Sequence, residues 1–200
     1  MMSRACILSH TCAVLALLIA PHAQAQTSSS TTKDTVPISQ VIAGTAQKTG
    51  KKFLLDPRVA GEVTLIGLDP NTLDYPTLLS VLQLHGFAAI DDGKYIRVVP
   101  EANARQLAVP VITSDGAYAN GEYVTRVMSP KSVPASMLVP LLRPLLPQQG
   151  HLVALPCTNN LILVDTYANV KRLEKIVSTL DTGEPYKPEK CGTPPAAKAD

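Results

Sequence analysis

Few side chains in this 200-residue chain could do chemistry, and none of them stands in a reactive constellation. His85 precedes Gly86 at a helix end, where an imidazole can bond the last carbonyls, and His151 follows Gly150 at the start of a strand. Each is too isolated for a metal motif, and no Ser or Cys has an adjacent base in sequence, so both are read as structural. Asp91 and Asp92 could be offered as an acid pair for proton transfer, but beside Gly93 they are turn chemistry. The cluster Arg172, Leu173, Glu174, Lys175 is a solvated helix face. No catalytic, cofactor-binding or metal-binding residue is therefore expected, and an exported enzyme has no motif behind it. Cys157 and Cys191 are the cysteines that remain once the first 25 residues are removed. In an oxidising compartment they are a candidate disulfide. It would close a loop of about 35 residues and stabilise by roughly 3–4 kcal/mol in the chain-entropy model. The alternative is two unpaired thiols; two cysteines without local His partners do not make a metal site.

Positioning such residues falls to a chain with a core and little surface specialisation. A hydrophobic fraction of 46% excludes disorder for most of its length. The formal charge of +2, with no basic run, does not call for nucleic acid. Two Phe, six Tyr and no Trp leave little from which to build stacking platforms for bases or sugars.

The N-terminus sets the compartment. A basic MMSR, an apolar ACILSHTCAVLALLIAP and the small-x-small triplet Ala23, Gln24, Ala25 form a cleavable Sec-type signal over residues 1–25. The apolar stretch is too short for a good membrane span, and an uncleaved anchor is the alternative. Cys12 lacks the small residues and preceding Leu of a lipidation signal. The expected mature chain is periplasmic, starts near Gln26, and has no membrane span after cleavage.

Residues 26–33 are a polar lead-in. A first block, 34–100, runs helix, two strands, helix, two strands. Ile38, Val41, Ile42 and Ala46 form one helical stripe, with Pro37 in the first turn and Gly50 as the stop. FLL and the Val63–Leu65 alternation supply strands. Asp74 caps a helix containing Leu78, Leu79, Val81 and Leu82 that ends at Gly86. FAAI and YIRVV form a hairpin about Asp92-Gly93. Residues 101–121 show little periodicity and are expected to be a linker between two domains in weak mutual contact. The second block, 122–182, runs strand, helix, strand, strand, helix. Ser132 is the candidate cap of its first helix, Pro140 and Pro144 shorten that helix, and Val170, Leu173, Ile176, Val177 and Leu180 form the apolar face of the last. Residues 183–200 are a Pro-rich tail. The fold class is α+β: two small domains, each a short mixed sheet packed with two helices. The second block's order also resembles a KH-type domain, but it lacks the GXXG loop that clamps a nucleic-acid backbone.

TGKKFLLDPRVAGEVTL, LLSVLQLHGFAAI, YIRVVP and the long run from Val124 to Asp181 resemble the periplasmic N-terminal modules of type II secretion secretins. The resemblance covers about residues 34–182. It implies a first module related to the signalling domain of TonB-dependent receptors, and a second, KH-like module of the NolW type. The family's extended apolar strand ahead of the first helix is replaced by the polar SSTTKDTVPIS, and the expectation is a chain without the family's outer-membrane barrel. The resemblance implies a non-catalytic protein of protein secretion. Its partners would be proteins, a secretin or an inner-membrane secretion component, and it would be monomeric alone. The alternative is a TonB-type signalling or receptor-binding module. The candidate docking edge is the strand Tyr123, Val124, Thr125, Arg126, Val127.

Overall fold

A computed structural model describes residues 35–114 and 116–188. The expected signal segment, the whole lead-in of residues 26–33 and Cys191 lie outside the described residues.

The first module begins with a strand that the polar sequence did not announce. β1 (Thr35–Pro37) pairs antiparallel with β3 (Glu62–Thr64), Val36 opposite Val63. Pro37 therefore sits just outside α1 (Ile38–Thr49) rather than in its first turn. Of the expected stripe Ile38, Val41 and Ile42 are buried and Ala46 is half-buried, and Gly50, at φ 70°, stops the helix with its N–H donated to the Ala46 carbonyl. Gly44 lies against the backbone of Pro70 and Asn71, where a Cβ would come within 2.4 Å of a carbonyl oxygen. α2 (Tyr75–Leu84) starts at Asp74, whose carboxylate accepts the Thr77 N–H at 2.9 Å. β2 (Phe53–Leu55), β4 (Phe87–Asp91) and β5 (Ile96–Pro100) form a mixed sheet in the order β2-β5-β4, parallel between β2 and β5 and antiparallel between β4 and β5. α1 and α2 share one core with Phe53, Phe87, Ala89, Ile96 and Val98.

The unbroken apolar run FAAI is explained by what covers it. Phe87 and Ala89 face the helices, while Ala88 and Ile90 face a second cluster with Ala104, Val109, Tyr123 and Val164. A strand buried on both faces loses its polar alternation. That second cluster joins the two modules, so the weak mutual contact expected of them is not what forms. The linker is structured as well: α3 (Glu101–Ala104) buries Ala104, and β6 (Val111–Ile112) pairs parallel with the next strand. At Gly121 the backbone passes so close to Leu79 of α2 that a Cβ would lie 2.7 Å from it.

The second module keeps the expected order in β7 (Tyr123–Met128), α4 (Ala135–Leu142), β8 (His151–Leu155), β9 (Asn160–Thr166) and α5 (Tyr167–Leu180). The sheet order is β6-β7-β9-β8, with both helices on one face over Val124, Met128, Leu152, Leu161 and Leu163. α5 turns Val170, Leu173 and Val177 inward, while Leu180 at its end is exposed. Its first N–H groups are taken by carbonyls just ahead of β7, Tyr167 to Glu122 and Ala168 to Asn120. Pro140 lies inside α4, which gives way to a 3-10 turn at Arg143–Leu145.

Ser132 does not cap α4; its hydroxyl donates to the Gly183 carbonyl. The cap comes from the hairpin turn between β8 and β9. Asn159, buried at φ 52°, accepts the Ala135 N–H at 2.7 Å and donates to the Pro130 and Val133 carbonyls at 2.7 and 3.1 Å. Asn tolerates this left-handed conformation better than most residues.

Candidate interaction surfaces

Side chains singled out for chemistry are scattered. His85 follows α2 in the first module, and His151 opens β8 at the surface of the second. Among the described residues no group of three or more His, Cys, Asp or Glu side chains could hold a metal ion. Asp91 accepts the Gly93 N–H, and Asp92 accepts those of Lys94 and Tyr95. These backbone bonds, led by Tyr95, hold the Asp92 carboxyl below its ordinary value. Glu174 is not merely a solvated charge, since it accepts from Arg126 at 2.6 Å across the helix–sheet interface. Cys157 is disulfide-bonded in the β8–β9 turn.

Residues 123–127 are brought together, but not as an edge. β7 lies between β9, paired along its whole length, and β6, paired at Thr125 and Arg126. The Thr125 N–H is donated to the Pro110 carbonyl at 2.8 Å. Tyr123 and Val124 are buried, and of the five only Val127 is exposed. The short strand hidden in the Pro-containing linker is what closes this side. The terminal strands of the two main sheets are β2 and β4 in the first and β6 and β8 in the second; of these β2 carries Leu54 and Leu55, 50% and 40% exposed. β2 leads into a turn fixed by Arg58, whose side chain and backbone donate to Asp56 and hold its carboxyl at about 2.

Between the modules the Tyr123 hydroxyl donates to Glu101, and burial followed by that carboxylate pushes its pKa up. The Tyr75 hydroxyl is also buried; burial and then the nearby Glu122 charge raise its pKa, although no acceptor meets it in hydrogen-bonding geometry. Asp165, fully buried, accepts from the Thr166 N–H and from Asn169, and burial raises its carboxyl above the ordinary value. The Tyr123–Glu101 bond ties β7 of the second module to α3 of the linker, whereas Asp165 is bonded within the second module.

Known proteins show what such a pair of modules is. Residues 33–98 match the family described as the GspD-like N0 domain, and residues 125–185 match the bacterial type II/III secretion system short domain. The chain belongs to the N-terminal domains of the type II secretion secretins. The secretin XcpQ of Pseudomonas aeruginosa is 38% identical over 146 residues, covering 72% of this chain and 21% of XcpQ. The secretin PulD of Klebsiella pneumoniae is 33% identical over 178 residues, covering 86% of this chain and 27% of PulD. The chain thus spans only about a fifth to a quarter of the length of these secretins. Among solved structures, the Klebsiella pneumoniae type II secretion system outer membrane complex of PulD, PulS and the PulC HR domain aligns with a TM-score of 0.63 at 31% identity, over 74% of this chain and 26% of that one. The α+β architecture of two secretin modules follows directly. Neither the Asn159 cap nor β6 was found from sequence: a polar Asn in a turn and a two-residue strand after a proline carry no periodic signal.

Proposed function

We infer that this chain serves in type II protein secretion as a non-catalytic, periplasmic interaction protein that docks to a secretin or to an inner-membrane secretion component. The observation that carries this is the tandem itself: a GspD-like N0 domain followed, in one chain, by the secretion-system short domain. A TonB-type signalling module would account for the first block alone. The solved Klebsiella complex holds PulD together with PulS and the PulC HR domain, and small protein domains of those kinds are the partners proposed here. In this proposal the modules are residues 34–100 and 122–182, the export signal is 1–25, and the mature chain is monomeric by itself. Protein contacts would be made through the exposed Leu54 and Leu55 of β2 rather than through β7, whose sides are taken.

The test is titration calorimetry of the mature chain against the purified periplasmic domains of the secretin and of the inner-membrane component from the same cell. Small interfaces of this kind give dissociation constants around micromolar. Leu54→Asp should weaken that binding without unfolding the chain. Binding to neither domain, with binding to the C-terminal domain of TonB instead, would overturn the proposal in favour of the signalling role.

A further inference from the structure

Where the two modules meet there is a cavity of about 410 Å³, within the roughly 300–1,000 Å³ of small-ligand sites. Its walls are drawn from both modules and from the segment between them. Ala89 and Asp91 come from β4, Lys51 from just ahead of β2, Tyr118 from the linker, and Glu122 and Tyr123 from the start of the second module. Lys51 and Asp91 are exposed, so the cavity is reachable from solvent.

The charges on these walls are not balanced. Asp91 is met by the Lys51 ammonium at 4.0 Å and accepts the Gly93 N–H. Glu122 is half-buried and accepts the Ala119 N–H at 2.8 Å through Oε2. Among the described residues no cation stands within ion-pair distance of it. One lysine is therefore set against two carboxylates, and it is engaged with the other one. A carboxylate partly withdrawn from water without a counter-charge gains from any cation that reaches it.

An independent observation points into the same space. Tyr75, the first residue of α2, is only 7% exposed, and among the described residues its hydroxyl has no hydrogen-bond partner. Buried hydroxyls nearly always have one. The Lys51 ammonium lies over the Tyr75 ring, 4.7 Å from its centroid. After burial itself, the Glu122 and Asp91 charges are what act on the hydroxyl. All three of these neighbours line the cavity, so the unmet hydroxyl faces it.

These walls call for a cation rich in donors. A carboxylate or phosphate would add negative charge beside Glu122, and an ammonium would repeat what Lys51 supplies. A guanidinium is planar, carries five N–H donors, keeps its charge at any working pH and stacks on aromatic rings such as those of Tyr118 and Tyr123. It can donate to the Glu122 carboxylate and to the Tyr75 hydroxyl oxygen together, while that hydroxyl turns its own proton towards Glu122. We propose that this cavity takes the guanidinium of an arginine presented by a partner protein, held by Glu122 and the Tyr75 hydroxyl where the two modules meet. The side chain of a protein fits better than free arginine. A free amino acid brings an α-carboxylate, and the lysine that could receive it already pairs with Asp91. The site stands whether or not partners also use the β2 edge.

The experiment titrates the mature chain with N-acetylarginine amide, N-acetyllysine amide and free L-arginine. It follows the Ala89 methyl group and the Tyr118 and Tyr123 rings by NMR. The arginine amide should give saturable shifts with a dissociation constant of about millimolar order. Glu122→Gln keeps an acceptor for the Ala119 N–H, and Tyr75→Phe keeps the ring. Each should weaken that binding about tenfold, with the methyl signals of buried Leu82 and Leu138 in place to show that the fold is kept. No saturable shift would overturn the proposal, as would the lysine amide binding equally well or an affinity unchanged by Glu122→Gln. Free L-arginine binding tenfold more tightly than its blocked form would assign the cavity to a small solute and overturn the docking of a protein side chain.

Discussion

Individual polar side chains decide more of this fold than the apolar stripes reveal. Asn159 satisfies three backbone groups of the loop that leads into α4, from a left-handed turn where most residues are strained. Asn159→Ala leaves those groups unpaired in a buried site and should cost about 2–4 kcal/mol, read as a lower urea midpoint; a loss under about 1 kcal/mol would show that water replaces the side chain. Two carboxylates give opposite pH behaviour. Burial raises Asp165, so its contribution to stability is present below the unfolded value of 3.8 and is lost as pH rises through the folded value. Asp165→Asn cannot ionise, and the native chain should gain stability relative to this variant as pH falls from neutral into the acid range. For Asp181, burial pushes the carboxyl up but the N–H groups of Lys131, Ser132 and Val133 outweigh it, and the net value is lowered. Its contribution is present above 3.8 and is lost as pH falls through the folded value. Urea unfolding across pH for native, Asp165→Asn and Asp181→Asn chains checks both signs; parallel curves for the two variants would contradict them.

At the scale of elements, the sequence was legible wherever periodicity and caps act locally. The stripe Ile38, Val41, Ile42, the Asp74 cap and the Asp92-Gly93 turn all do in the structure what their types imply. What could not be read was pairing between distant short segments. β1 has three residues, one of them proline, and pairs with the equally short β3, while β6 has two and pairs with the longer β7; neither carries a periodic pattern of its own. The consequence is concrete at β7, which looked like an edge and is an interior strand. Val124→Pro places a residue without an N–H in the middle of a paired strand, and should unfold the second module rather than merely weaken association. Circular dichroism of the variant checks this; a native spectrum with an unchanged melting temperature would return β7 to the edge.

For the whole molecule, the important fact is that the modules share a cluster. Ala88, Ile90, Ala104, Val109, Tyr123 and Val164 come from the first module, the linker and the second module. The sequence hid this because linker residues 101–121 bury single side chains at no regular spacing. The two modules should therefore melt in one calorimetric transition, and Ala104→Glu, which forces a charge into the shared cluster, should split it into two; two transitions already in the native chain would mean that the contact adds no coupling. The account's central claim is that this pair of secretin modules acts in secretion through protein contacts. Crosslinking mass spectrometry in intact producing cells tests it most directly, with a photoreactive residue placed at Leu54 on the exposed β2 edge. The expected result is crosslinks from that edge to a secretin or to an inner-membrane secretion component, lost with the same probe at buried Leu82. Crosslinks from Leu54 to TonB or a TonB-dependent receptor, with none to secretion components, would contradict it.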